Sequence, residues 1–284
     1  MLRVCSEKEL KKYADFAYNL ATDPTKSGYP SYSDGIKTKE MFVKRLEEAF
    51  SQDTEEILLF ELGGVVEGLI HYYFLPSDKY LSTVSFNIGS HTDQALKEFL
   101  KFAESQFKGY ELFLGYSVKN KQAIEFLSAH GFELIEEDNN CTGLLKQYQP
   151  VYVDSNIVRV TKDNYNAFRK IHSIAEDDMY WNSDRIYADI ENWFIFVKMQ
   201  GSDAVGSIYY NIVDDGWFEI FGIDLKDNIF DGQVVYELLG IAMNTAKEAG
   251  GTYMTFFCGD EEQKVACELG FIWVDKYLCY KKLL

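Results

Sequence analysis

Long apolar runs are missing from this chain of 284 residues: none approaches the roughly 20 residues that a membrane helix needs. The opening stretch MLRVCSEKELKKYADF has no apolar h-region, so no secretory signal is expected and a cytoplasmic location is the default. Cysteine is scarce and scattered. Cys5, Cys141, Cys258, Cys267 and Cys279 form no CxxC and no Cys/His cluster, which argues against a zinc site or a disulfide framework. Their apolar neighbours, as at Cys258 in MTFFCGD, suggest buried structural thiols, and Cys267 is expected in a helix interior. Positive charge is also short. The first 150 residues carry 16 basic and 23 acidic groups and the rest 12 and 22, giving −7 and −10 and a total of −17. With no basic stripe, nucleic-acid binding is not expected. Gly-x-Ser-x-Gly, a Walker loop and a dinucleotide fingerprint are all absent, and His71, His91, His130 and His172 form no evident ligand pair or triad.

What is present is apolar and aromatic material, 47% and 16% of residues, enough for two cores in domains of about 140 residues. The chain also repeats itself. GGVVEGLIHYYF (63–74) aligns with GSDAVGSIYYNI (201–212), each reading as a strand end, a Gly turn and a second strand. YELFLG (110–115) aligns with YMTFFC (253–258), and AHGFELIEEDNNCTGLL with ELGFIWVDKYLCYKKLL. Each half opens with a short strand, LRVC or IVRV, and a capping stretch, SEKE or TKDN. The order per half is β-α-α-β-β-β-α-β-α-β, with Pro150 between the copies. The expected division is residues 1–146, a linker at 147–156, and 157–284.

This order, twice over, resembles the GNAT-type N-acetyltransferase superfamily. The most specific match is NKQAIEFLSAHGF, where Asn120, Ala123, Ile124, Gly131 and Phe132 keep a spacing that members often carry. The fold class implied is α/β of the α+β kind: two tandem GNAT-like domains, each a mixed, mostly antiparallel twisted sheet flanked by helices. The activity implied is transfer of an acetyl group from acetyl-CoA, as co-substrate, directly to a primary amine, with no metal. In the family the fourth and fifth strands splay apart, and the acyl-pantetheine arm pairs with their main chain like an added strand.

The repeat offsets bear on which copy works. Gly68 and Gly206 are 138 apart, Tyr110 and Tyr253 are 143, and Gly131 and Gly270 are 139. The second copy therefore gains residues where the family places its pyrophosphate loop, before the long helix. There the first copy has only NIGSHTDQAL, whereas the second has GIDLKDNIFDGQVVYELL. The usual Gln/Arg-x-x-Gly-x-Gly/Ala signature is absent from both. The second copy offers Phe230, Gln233 and Val235 at those places, with Gly232 displaced by one. Asp227 and Asp231 oppose a pyrophosphate unless they point away.

By the resemblance, the second copy holds the site and the first is degenerate. Phe221, Gly222 and Ile223 would line the acyl arm, although a strand Gly also marks a simple bulge. Asp231, Gly232, Gln233, Val234 and Val235 would form the phosphate cradle, and Asn120 would touch cofactor from the first copy. Glu219 is the candidate general base, with Asp224 a weaker rival. Strand alternation can equally turn Glu219 to solvent. The family's tyrosine acid, seven residues after the motif Asn, is Leu127 here and Ala266 in the second copy.

Tyr180, Trp181 and Asp178, beside Glu176 and Asp177, suit an ammonium-bearing acceptor, or equally a solvated helix end. The matching stretch of the first copy, ATDPTKSGYPSYSDG, reads as a mobile turn region. Packing of the two copies through their terminal strands is compatible with the sequence, and the oligomeric state is open. The alternative reading is a non-catalytic tandem module that binds acyl-CoA or a partner protein.

Overall fold

The computed structural model describes residues 1–173, 179–214 and 216–284. The first half runs β1 (Leu2–Val4), α1 (Glu7–Ala21), α2 (Lys39–Ala49), β2 (Glu55–Leu62), β3 (Val65–Leu75), β4 (Tyr80–Ile88), α3 (Thr92–Gln106), β5 (Glu111–Ser117), α4 (Lys121–Ala129) and β6 (Glu133–Leu144). The second half repeats the order with β7 (Ile157–Arg159), α5 (Asn166–His172), α6 (Ser183–Ala188), β8 (Trp193–Gln200), β9 (Asp203–Asp214) and β10 (Trp217–Leu225). It continues with α7 (Gly232–Glu248), β11 (Tyr253–Cys258), α8 (Asp260–Glu268) and β12 (Phe271–Leu283). Both halves follow the order read from the sequence. The cause is local: Glu9 accepts from the Ser6 N–H and hydroxyl at the start of α1, and Gly63 and Gly64 take the left-handed conformations that close the β2–β3 hairpin.

The chain forms two compact units, Met1–Glu137 with Asp275–Leu284, and Asp138–Val274. This differs from the expected division because the halves exchange their last strands. In the first unit the order is β1-β2-β3-β4-β5-β12, with Tyr277–Leu283 of β12 antiparallel to β5. In the second it is β7-β8-β9-β10-β11-β6, with Asn139–Leu144 of β6 antiparallel to β11. The two strands start from the same Gly-Phe pattern, so each meets the docking needs of the other's edge. Leu278 and Tyr280 thereby join the first unit's core beside Leu114 and Tyr116, while Cys141 joins the second unit's core. Each such apolar side chain contributes roughly 1.5–3 kcal/mol on burial.

Among the described residues one strand pair of each unit is parallel, β4–β5 in the first and β10–β11 in the second. The expected linker is pinned rather than free. Tyr148 donates to Asn244 Oδ1, Asn244 Nδ2 donates to the Val151 carbonyl, and Gly240 of α7 leaves room for Val151. No helix among the described residues is long and apolar enough to cross a membrane.

Candidate functional site

The parallel pair of each unit opens into a V. In the first unit β4 and β5 pair at Tyr80–Glu111, Leu81–Leu112 and Ser82–Phe113 and then part. In the second, β10 and β11 pair from Trp217–Tyr253 to Ile220–Phe256 and then part. A bulge between Ile220 and Gly222 bends β10 at that point while it stays paired with β9. Main-chain groups beyond the fork have lost one strand partner and need another.

The first V is filled from within. Residues Lys26–Tyr29, from the stretch expected to be mobile, lie in it as a short inserted strand bridged to Asn87 on one side and Tyr116 on the other. The Gly28 N–H donates to Phe86 O at 2.8 Å, the Ile88 N–H to Lys26 O at 2.9 Å, and the Tyr29 N–H to Gly115 O at 2.8 Å. Asn120 completes this arrangement instead of facing a cofactor. Fully buried, it accepts from the Ala123 N–H to cap α4 and donates to the Ser27 carbonyl. The cofactor role expected for Asn120 is therefore replaced by an internal one, since both ends of its amide have protein partners.

The second V has no inserted strand among the described residues, and Phe221, Gly222, Ile223 and Asp224 are half-buried along it. Their side chains have separate duties. Phe221 packs on Trp193 at 5.1 Å and Trp181 at 6.1 Å, while Ile223 leans on the core under α7. Gly222 is required by the protein itself: a Cβ there would lie 2.3 Å from Tyr209 Oη. Burial, helped by the Asp224 carboxylate, raises the Tyr209 hydroxyl well above its ordinary pKa, so it stays protonated. Tyr209 thus brings a protonated phenol against the splayed strand, a role that no motif position announced.

Glu219 lies just before the fork. Phe218 and Ile220 point into the core under α7, so Glu219 takes the opposite face and is half-buried. Trp217 Nε1 donates to Thr255 Oγ1 at 2.8 Å, and Thr255 donates to Glu219 Oε2 at 3.4 Å. This short relay fixes the carboxylate next to the opening. Farther along, Asp224 Oδ2 meets His172 Nδ1 at 2.9 Å and accepts from Ser207 at 3.0 Å, while His172 Nε2 meets the Trp181 carbonyl at 3.0 Å. His172 therefore ties the segment bearing Trp181 to β10. The sequence offered no sign of this pairing, because its partners are 52 and 9 residues from His172.

The expected phosphate cradle is occupied by its own carboxylate. Asp231 is the N-cap of α7, and its Oδ1 accepts from the Gln233 and Val234 N–H groups at 3.0 and 3.2 Å. The Val235 N–H already bonds the Asp231 carbonyl. Val234 and Val235 bury their side chains in the core, and the Gln233 amide reaches Glu237. Of the five cradle residues, Asp231 and Gly232 have backbone donors without such a partner among these contacts. Asp231 points in, so the helix end is satisfied and negatively charged, which disfavours a pyrophosphate. The preceding turn holds Asp227 and Asn228 in left-handed conformations.

Of the expected acceptor residues, Asp178, Glu176 and Asp177 lie outside the described residues. Tyr180 already has the Arg185 guanidinium over its ring at 4.1 Å, so that π-face is not open to a substrate cation. Trp181 stands edge-on to Trp193 at 5.0 Å and forms an aromatic wall with Phe221. Leu127 and Ala266 are fully buried, and Cys267, expected in a helix interior, is exposed on α8. No cluster of metal-ligating side chains occurs among the described residues.

Comparison with solved structures gives this architecture a class. A GCN5-related N-acetyltransferase from Sphaerobacter thermophilus superimposes with a TM-score of 0.64 at 11% identity, covering 99% of this chain and 95% of that one. A tandem GNAT protein from the clavulanic acid biosynthesis pathway gives 0.55 at 12%, covering 99% and 98%. A GCN5-related N-acetyltransferase from Kribbella flavida gives 0.53 at 13%, covering 77% and 88%. No family model matches the sequence, and no curated protein sequence matches it. The chain carries the GNAT fold, in two tandem copies whose final strands are exchanged.

Proposed function

We propose that the protein is an acyl-CoA-dependent N-acyltransferase whose single site is the open V of the second copy, with acetyl-CoA as donor and a primary amine as acceptor. The observation that carries this reading is the bulge between Ile220 and Gly222, where β10 leaves β11 while it stays paired with β9, beside a Glu219 carboxylate held by Thr255. The outer edge of Phe221–Asp224 would hold the acyl arm by main-chain pairing. Glu219, oriented by Thr255, would take the proton from the ammonium so that the free amine attacks the acyl carbon. The new C–N bond forms as the C–S bond breaks. The second proton of the attacking nitrogen would pass through water to the departing thiolate, which leaves as the free thiol of coenzyme A. Trp181, Trp193 and Phe221 make the acceptor side aromatic, which favours an amine carried on an apolar or flat body.

The Asp231 cap favours the second reading, a non-catalytic module, because it weakens the phosphate seat. A screen of primary amines with acetyl-CoA, following free thiol, separates the two. Turnover that falls at least a hundredfold in Glu219→Gln supports the enzyme, whereas binding of acetyl-CoA without turnover supports the module. Absence of any acetyl-CoA binding by calorimetry sinks both acyl-CoA readings.

A further inference from the structure

We infer that the first copy is a main-chain-binding slot permanently occupied by its own segment Lys26–Tyr29, a strap that replaces an acyl arm and leaves one acyl-CoA site per chain. The stoichiometric part of this inference rests on the function proposed above; the occupancy of the slot does not.

Three independent features support the strap. First, it uses the main-chain groups an added strand would use. Phe86 O, the Ile88 N–H and Gly115 O are all engaged by it, at 2.8–2.9 Å. An arm could pair there only after the segment had left. Second, the fit is specific to glycine at its centre. A Cβ on Gly28 would meet Phe86 Cβ at 3.1 Å and Gly115 O at 3.3 Å, and neither is the loose end of a flexible side chain. Third, both ends are anchored.

On the leading side, Asp23 accepts from the Thr25 N–H and hydroxyl, and Ser27 Oγ donates to Asp23 O. On the trailing side, the Tyr32 N–H donates to Ala21 O, and a buried Lys37–Asp34 ion pair closes the turn beyond it. Asn120 donates to the Ser27 carbonyl. The residue that resembles a cofactor contact has become the strap's clasp.

Hydrogen–deuterium exchange on the full chain tests this, resolved to residues 24–32, 84–90 and 217–225, with and without saturating coenzyme A. The expected result is exchange at Gly28, Tyr29 and Ile88 slowed by about a hundredfold or more relative to unstructured chain, and unchanged by coenzyme A. Fast exchange there in the free protein overturns the inference. Loss of protection at 26–29 on adding coenzyme A overturns it as well, because the strap would then be a displaceable lid over a working site. If coenzyme A alters nothing, including 217–225, the proposed function fails while the strap stands on its own protection. In Gly28→Val, exchange across 26–29 and 86–88 should rise at least tenfold while 57–60 keeps its protection. An unchanged strap in that variant refutes the fit, and should the variant not fold, the wild-type measurement still decides.

Discussion

Removing the Asp231 carboxylate should loosen the protein and tighten its hold on coenzyme A. Asp231 caps α7 through the Gln233 and Val234 amides, so Asp231→Ala should cost about 1 kcal/mol of stability, or about 2–4 °C in Tm for a domain of this size. Asp231→Asn keeps a capping oxygen and should cost little. The electrostatic effect runs the other way. A pyrophosphate carrying about two negative charges roughly 6 Å from the carboxylate is repelled by ~0.7 kcal/mol per charge pair in a water-like dielectric. Relief of about 1.4 kcal/mol corresponds to about tenfold tighter binding. Both variants lose the charge, so both should gain affinity, and only the alanine should lose Tm. Calorimetric titration with coenzyme A at low and high salt reads the effect. The gain should shrink as salt rises, because exposed charges are screened over about 10 Å at 0.1 M. Wild-type affinity in both variants would show that the phosphates do not sit at this helix end.

The first unit should lose stability in acid through Glu55. Although burial acts to raise its pKa, hydrogen bonds from His71 and Arg45 outweigh burial and hold the carboxyl down at about 2, against an ordinary 4.5. The unfolded chain binds this proton near pH 4.5 and the folded one only near 2, so the stabilisation is complete above about 4.5 and is lost as pH falls towards 2. After allowance for solvent screening it amounts to about 1–2 kcal/mol. Buried His71, whose pKa is lowered by burial, adds a loss that begins just below 6.5. Urea midpoints at pH 7, 5 and 3 should fall less steeply in Glu55→Gln, and equal slopes would refute the account.

Thr255→Val breaks the Trp217–Thr255–Glu219 relay and should lower kcat about tenfold with KM little changed. A shift in KM alone would place Glu219 outside the chemistry. Gly222→Ala drives a Cβ into Tyr209 and should cost about 1–3 kcal/mol. A wild-type melting curve would show that Tyr209 can move aside.

The element order was legible because it rests on local periodicity and turn chemistry: the Ser6–Glu9 cap and the Gly63–Gly64 hairpin are written in adjacent residues. The strap was not. Four residues paired through their main chain carry no side-chain period, and Gly, Ser and Pro around them read as a loop. Strand exchange was equally hidden, since β6 and β12 share one pattern and a pattern names no partner. Glu219 stands out in the sequence as an acid amid apolar neighbours, whereas Tyr209 is unremarkable in SIYYNI until the fold lays it over Gly222. The capping role of Asp231 was readable in principle, as an Asp one position before a helix. The lengthened loop drew attention to phosphate instead.

The exchange of strands also sets a timetable. Ser117 at the end of β5 is joined to Asp275 by a hydrogen bond spanning 158 residues. At synthesis rates of about 5–20 residues per second, the β5 edge of the first unit waits roughly 8–30 s on the ribosome for the strand that covers it. Throughout that interval it offers bare N–H and C=O groups to any passing chain. The half made first is thus finished last, because its sheet is completed only by β12 at the far end of the chain.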